Sequence, residues 1–414
     1  MTAVAGRTIA GMSTERLAQI DRHLMQNYVE PGKFAGALTL VARKGEIAHF
    51  SAIGEMDGER GKATREDTIF RIYSMSKPIT SVALMTLYEE GRFQLDDPVH
   101  KYIPSFEGLR VWEGGADPIW LTRHPDRPMT VRDLMSHQSG LTYGFMMRNS
   151  VDAAYRKLGI MGREGDQGLP DETLTEQIEK LSRVPLQFSP GTAWNYSVST
   201  DVCGHLVELI SGKPFDDYLT ERIFKPLGMV DTAFYVPDEK LDRFAACYIP
   251  TPTGGRMLQD DPEKSAYRKP PKLLSGGGGL VSTATDYFRF CQMLLNGGRL
   301  DGVPILGRKT IELMTSNHLT GGGDLAAMAP SGIFAEVAFA GTGFGLGFSV
   351  LLDPAAAQIP GSRGQYAWGG AASTAFWVDP VEEVILVFMT QLLPSGTYPI
   401  RRELQVLVNA AIVD

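Results

Sequence analysis

A hydroxyl and an amine three residues apart are the first chemistry this chain offers. Ser74-Met75-Ser76-Lys77-Pro78 lies between an apolar, strand-like stretch (69–73) and a helical run (79–90) closed by Gly91. Three residues is nearly one helical turn, so the Lys77 amine falls on the same face as the Ser74 hydroxyl. Serine is a weak nucleophile until a neighbouring base takes its proton, and a lysine that has lost its own proton can be that base. The same spacing also suits a capping serine and a solvated lysine. Two further segments carry polar or permissive groups. Tyr196, in Asn195-Tyr196-Ser197, follows the turn Ser189-Pro190-Gly191 and precedes a helical pattern, so its phenol either projects into a cleft or packs in the core. In Tyr366-Ala367-Trp368-Gly369-Gly370-Ala371-Ala372 the glycine pair either admits a close approach of substrate or chain, or marks a bulge.

These groups need elements to hold them. Leu17, Ile20, Leu24 and Tyr28 recur at helical spacing after Ser13, which predicts an amphipathic helix covering a sheet. Residues 34–41 and 46–53 are strand-like around Arg43-Lys44-Gly45, and residues 374–378 and 384–390 flank Asp379-Pro380; each pair predicts a hairpin. The last segment, 400–412, is again helical, with Leu404, Leu407, Val408 and Ala411 in phase. Strands and a covering helix at both ends imply one antiparallel sheet flanked by helices, an α/β (α+β) domain built from residues 1–100 and 271–414. Residues 101–270, where short helical patterns at 131–136, 172–182, 200–210 and 215–224 alternate with Pro and Gly, are expected to form an inserted all-helical region. The active cleft is expected at the junction. The run Ser275-Gly276-Gly277-Gly278-Gly279 lacks the Gly-Lys-Ser/Thr of a phosphate loop and reads as a sharp turn beside a strand. The stretch 321–340, rich in Gly, Ala and Met, is a loop without an assigned place.

Composition narrows the function. With 414 residues, 43% hydrophobic and 21% charged, the chain is long enough for a sizeable core. A net charge of −8 and the absence of a basic run argue against nucleic-acid partners. Three widely spaced cysteines, Cys203, Cys247 and Cys291, suit neither a disulfide framework nor a metal site. The seven histidines show no ligand spacing, so neither metal nor cofactor is expected. No leader pattern is seen in residues 1–10 and no 18-residue apolar run anywhere, so the expectation is a cytoplasmic protein without membrane attachment. No serine sits in Gly-x-Ser-x-Gly, against an α/β-hydrolase elbow, and His137, in Ser-His-Gln-Ser-Gly, reads as part of a structural turn.

Taken in order, Ser74-Met75-Ser76-Lys77, Tyr196-Ser197-Val198 and Trp368-Gly369-Gly370 resemble the motifs of the serine β-lactamase and penicillin-binding-protein superfamily, nearest to class C β-lactamases and family VIII carboxylesterases. The stretches Leu95-Asp96-Asp97-Pro98, Ser136-His137-Gln138-Ser139-Gly140-Leu141 and Lys225-Pro226-Leu227-Gly228-Met229 resemble the superfamily too. The resemblance implies that Ser74 is acylated, that Lys77 and Tyr196 move its proton, and that the backbone N–H groups of Ser74 and Ala371 form the oxyanion hole. A lysine of ordinary pKa, about 10.4, is almost wholly protonated at neutral pH, so burial must depress it.

The departures from the pattern bear on substrate. Trp368-Gly369-Gly370 stands where a Lys-Thr-Gly triplet would present a cation, and Tyr196-Ser197-Val198 replaces Tyr-x-Asn. Both changes point to uncharged esters, with Trp368, Gly369, Gly370 and Val198 expected at the substrate. The function this implies is a serine carboxylesterase acting on short-chain esters, with weak β-lactamase activity alongside. The alternatives are a β-lactamase or D-alanyl peptidase, an acyltransferase, and a binding protein that keeps the fold. A small-molecule ester is the expected partner, and the oligomeric state is not legible.

Overall fold

The computed structural model describes residues 7–162 and 170–414. Residues 1–6, part of the stretch read for a leader, and 163–169, part of the inserted region, lie outside them. β1 (Gly36–Arg43) and β2 (Glu46–Asp57) form the opening hairpin. Its turn places Lys44 at φ 52° and Gly45 at φ 79°, the left-handed pair whose twist suits a tight hairpin. After the short β3 (Lys62–Ala63), the remaining strands come from the far end of the chain: β4 (Thr342–Phe344), β5 (Ser349–Leu351), β6 (Tyr366–Gly369), β7 (Ala375–Asp379) and β8 (Val384–Met389). Together they make one eight-stranded antiparallel sheet in the order β4-β5-β6-β7-β8-β1-β2-β3. The two ends of the chain meet where β8 pairs with β1, Leu386 opposite Val41 and Val387 opposite Leu40.

Both faces of the sheet are covered, and strand alternation sorts the side chains between them. The helices that matter are α1 (Thr14–Leu24), α2 (Ser76–Glu89), α3 (Ser199–Ser211), α4 (Ala284–Leu295) and α5 (Ile400–Asn409). α1 and α5 cover one face, where Leu17, Ile20, Leu404 and Val408 pack with Val41, Trp377 and Leu386. On the other face Ile79 and Val82 of α2 and Phe290 and Met293 of α4 join Leu38, Leu40, Phe376 and Val387 in the main core. α1 starts at Thr14, where Ser13 accepts a hydrogen bond from the Arg16 N–H as its N-cap, within the start near Ser13 or Thr14 that the spacing predicts.

Residues 100–270 carry the expected short helices Val131–Met135, Leu174–Leu181, α3 and Phe215–Leu219, and also Ser150–Leu158. The region is not all-helical. Val111–Ala116 pairs with Ile119–Arg123, and Cys247–Pro250 with Arg256–Asp260. Alternating Val, Trp, Ile and Thr around Asp117-Pro118 is a strand signal, hidden by Gly114 and Gly115, which read as loop punctuation. Among the described residues no helix is long and apolar enough to cross a membrane.

Gly369 ends β6 and Gly370 follows it. What comes close to Gly370 is the protein itself: a Cβ there would lie 2.4 Å from the Ile72 carbonyl oxygen and 2.3 Å from Thr374 Oγ1. The missing side chain lets the end of β6 touch the segment that leads into Ser74. Gly370→Ala is therefore expected to force the two apart and to destabilise the fold by about 1–3 kcal/mol, read as a lowered urea midpoint; an unchanged midpoint would contradict this contact.

Candidate active site

Ser74 stands in the 3₁₀ turn Tyr73–Met75, which runs directly into α2. Tyr73 is held at φ +42°, a left-handed conformation that costs a side-chain-bearing residue roughly 1–2 kcal/mol. This bend takes the chain out of the short strand Phe70–Arg71, which pairs with Val281–Ser282. Lys77, one turn on, is buried, and its Nζ lies 3.1 Å from Ser74 Oγ and donates to the Gly277 carbonyl at 2.6 Å. The ammonium also sits 4.6 Å from the centre of the Tyr196 ring and 5.4 Å from that of Tyr143. Burial lowers Lys77 from 10.5 to about 8, against the carboxylates of Asp201 and Glu336, which raise it.

Tyr196 lies on the turn before α3 and donates to Ser74 Oγ at 2.6 Å. Its ring is wedged between Trp194, stacked at 6.3 Å, and Trp368, at 5.3 Å, with His137 at 5.2 Å. Burial first, then the Glu336 charge, pushes the phenol well above its ordinary pKa, so it stays protonated. The glycine run 275–279 completes the enclosure. The Gly276 carbonyl accepts from Thr80 Oγ1 at 2.8 Å, and the Gly277 N–H donates to Asp201 Oδ1 at 3.0 Å. A Cβ at Gly276 would lie 2.8 Å from the Thr200 carbonyl, so the run serves as a close-packed turn between α2 and α3.

Ser74 and Tyr196 open onto a cavity of about 650 Å³. Its walls come from both the sheet layer and the inserted region, and they are largely aromatic: Tyr73, Tyr143, Phe145, Tyr267 and Phe334. Ala371 also lines it, and neither the Ser74 nor the Ala371 backbone N–H has a hydrogen-bond partner among the described residues. The carboxylates at the wall are all engaged: Asp201 by Ser275 and Gly277, Asp260 by Arg71 and Ser265, Glu336 by Arg401 and Ser395. Among the described residues no lysine or arginine lines the cavity.

The residues expected to touch substrate lie elsewhere. Trp368 is 2% exposed and packs edge-on against Phe344 behind Tyr196. Val198 is wholly buried at the start of α3. Gly369 faces the Arg401 guanidinium and Gly370 faces Ile72. None of the four lines the cavity. Adjacency in sequence to Tyr196 and Ala371 does not carry over to a shared face, because strand and turn alternate their directions. His137, at φ +56°, lies 3.2 Å from Ser197 Oγ and is pushed well below its ordinary pKa by burial and then by Lys77, so it packs behind Tyr196 as a neutral ring. Among the described residues no group of three or more His, Cys, Asp or Glu is placed to hold a metal.

Three residues at the site escaped the motif search: Tyr143, Asp201 and Glu336. Asp201 reads as an ordinary acid in the first turn of a helix. Glu336 had a usable signal, being the sole charged residue between Asp324 and Asp353. The stretch 321–340, left unplaced, reaches the cavity through Phe334 and Glu336.

The buried amine has a measurable consequence. The unfolded chain keeps the Lys77 proton to near 10.5 while the folded chain releases it near 8, so between those values the unfolded state binds more protons and stability from this group rises with pH. Comparing wild type with Lys77→Met by denaturant unfolding, the difference is expected to shift in favour of wild type by roughly 3 kcal/mol from pH 7.5 to 10.5; a flat difference would show that Lys77 is not desolvated.

Comparison with known proteins places the chain in a family. Residues 22–410 match the Beta-lactamase family. The chain is 31% identical over 381 residues to Esterase EstB of Burkholderia gladioli, covering 88% of each, and 34% identical over 369 residues to Protein Rv1367c of Mycobacterium tuberculosis, again 88% of each. Among solved structures it superposes on EstCE1, described as a hydrolase with promiscuous acyltransferase activity, with TM-score 0.79 and 27% identity over 97% of this chain and 99% of that one. A β-lactamase-like fold, a serine under a buried lysine and tyrosine, and a family match across nearly the whole length lead to one conclusion: this chain belongs to the Beta-lactamase family of serine hydrolases.

Proposed function

We propose that the protein is a serine carboxylesterase that cleaves short, uncharged carboxylic esters through an acyl-enzyme on Ser74. The observation that carries this is the triangle of Ser74 Oγ, Lys77 Nζ at 3.1 Å and Tyr196 Oη at 2.6 Å, facing a largely apolar cavity whose described lining residues include no lysine or arginine. With its pKa near 8, Lys77 is neutral in about one molecule in ten at pH 7, against roughly one in a few thousand for an ordinary lysine. The neutral amine takes the Ser74 proton as Oγ attacks the ester carbonyl. Tyr196, which holds its proton too tightly to be the base, steadies Oγ through its hydrogen bond and passes a proton to the departing alcohol, regaining one from the Lys77 ammonium. The N–H groups of Ser74 and Ala371 receive the oxyanion, each such donor being worth about a hundred- to a thousandfold in rate. Water then attacks the acyl-enzyme, losing its proton to Lys77, which returns it to Ser74 Oγ as the acid departs.

Among the described residues no lysine or arginine lines the cavity, which weighs against β-lactams and D-alanyl peptides as main substrates, since their carboxylates would meet the acids Asp201, Asp260 and Glu336 at its wall. Transfer of the acyl group to an alcohol instead of water is a variant of the same acyl-enzyme, favoured by the likeness to EstCE1 and by an apolar cavity of the size that holds a small organic molecule.

Ser74→Ala is expected to lower kcat for p-nitrophenyl butyrate by at least about a thousandfold, and undiminished turnover would sink the assignment. In a panel, neutral short esters should exceed nitrocefin and peptidoglycan peptides in kcat/KM; peptide cleavage faster than ester cleavage would overturn the choice of substrate. The kcat/KM profile should rise through about pH 8 with no falling limb from Tyr196 below pH 10. Asp201→Asn, which removes a charge that raises Lys77, should move that rise to lower pH, and a shift to higher pH would contradict the assigned base.

A further inference from the structure

Arg401 occupies the first turn of α5, the end of a helix where a cation is electrostatically disfavoured, so something else holds it there. Its Nη2 donates to the carbonyls of Gly370 and Thr374, both at 2.8 Å. Its Nη1 donates to the Glu336 carbonyl at 2.8 Å and to Glu336 Oε2 at 2.6 Å. The guanidinium reaches this position because Gly369 lacks a Cβ, which would lie 2.4 Å from it. Glu336 is itself fixed by Ser395 Oγ at 2.8 Å and is 4% exposed at the cavity wall.

The Gly370 carbonyl and the Ala371 N–H belong to one planar peptide group. Whatever orients that oxygen orients that hydrogen in the opposite direction. Two donors converge on the oxygen: the Ser373 N–H, which closes a turn at 3.0 Å, and the guanidinium. The Ile72 carbonyl lies close against Gly370, where a side chain would meet it. A charged donor on the oxygen also polarises the amide, which strengthens its N–H as a donor. The Ala371 N–H is left without a partner at the cavity that Ser74 also lines.

We infer that Arg401 is a positioning residue for the oxyanion hole: its guanidinium locks the Gly370–Ala371 peptide so that the Ala371 N–H points at the ester carbonyl oxygen, with Glu336 as the counter-ion that holds it. This rests on the esterase reading above. It requires the effect of Arg401 to appear in the transition state and not in substrate binding.

The test compares Arg401→Gln and Arg401→Lys with wild type, using p-nitrophenyl butyrate and an alkyl boronic acid whose tetrahedral adduct on Ser74 places an oxygen in the hole. Plateau kcat is taken above pH 9, so that any change at Lys77 caused by an unpaired Glu336 does not enter. Arg401→Gln is expected to lose roughly ten- to a hundredfold in plateau kcat, with KM within about threefold and boronate affinity falling in step with kcat. Arg401→Lys, which keeps the charge opposite Glu336 but not the fork, should retain part of both and decides the matter if the Gln variant does not fold. Variants that only shift the pH profile, or raise KM alone, or keep plateau kcat and boronate affinity within about twofold, would overturn the role. Ser74→Ala, run alongside, separates the two claims: if it still cleaves the ester, the esterase reading falls, whereas a dead Ser74→Ala beside unimpaired Arg401 variants removes only this one.

Discussion

An ammonium group taken out of water resists its own charge, and this molecule places one where that resistance is useful. Lys77 is 1% exposed and has the Gly277 carbonyl and Ser74 Oγ as its hydrogen-bond partners, with the faces of Tyr143 and Tyr196 over it. Desolvation outweighs the two carboxylates that favour the charged form. Much of the surrounding structure serves this enclosure: the glycine run that brings its carbonyl against α2, the wedge of Trp194, His137 and Trp368 behind Tyr196, and the strained Tyr73 that aims Ser74. The carboxylates limit the shift, keeping the amine near the range where it can both take and return a proton.

The second constraint is a backbone contact. Ser74 belongs to the N-terminal part of the chain and Ala371 to the C-terminal part, yet the proposed hole needs both N–H groups at one point. The sheet makes this possible by pairing β8 with β1, and the glycine pair makes it close by leaving room for Ile72 and Arg401. In the fold these glycines are approached by protein, while Ala371 lines the cavity.

Three carboxylates reach the cavity wall and each is engaged by neighbouring donors, which leaves a largely aromatic chamber with a polar floor at Ser74. Such a chamber gains from apolar acyl or alcohol groups through burial.

Local chemistry in the sequence was enough for some of this. Helical spacing puts Lys77 beside Ser74, alternation and turn residues mark the hairpins at both ends, and a capping serine marks the start of α1, because each depends on contacts within a few residues. The placement of Trp368, Val198, Gly369 and Gly370 away from the cavity, the hairpins inside residues 100–270, and the arrival of Asp201, Glu336 and Arg401 at the site were decided only by tertiary packing. Arg401 lies 65 residues from Glu336 in the chain, and no periodicity connects them. Whether a side chain faces substrate or core, and whether an amine is wet or dry, depends on which distant segments close over it.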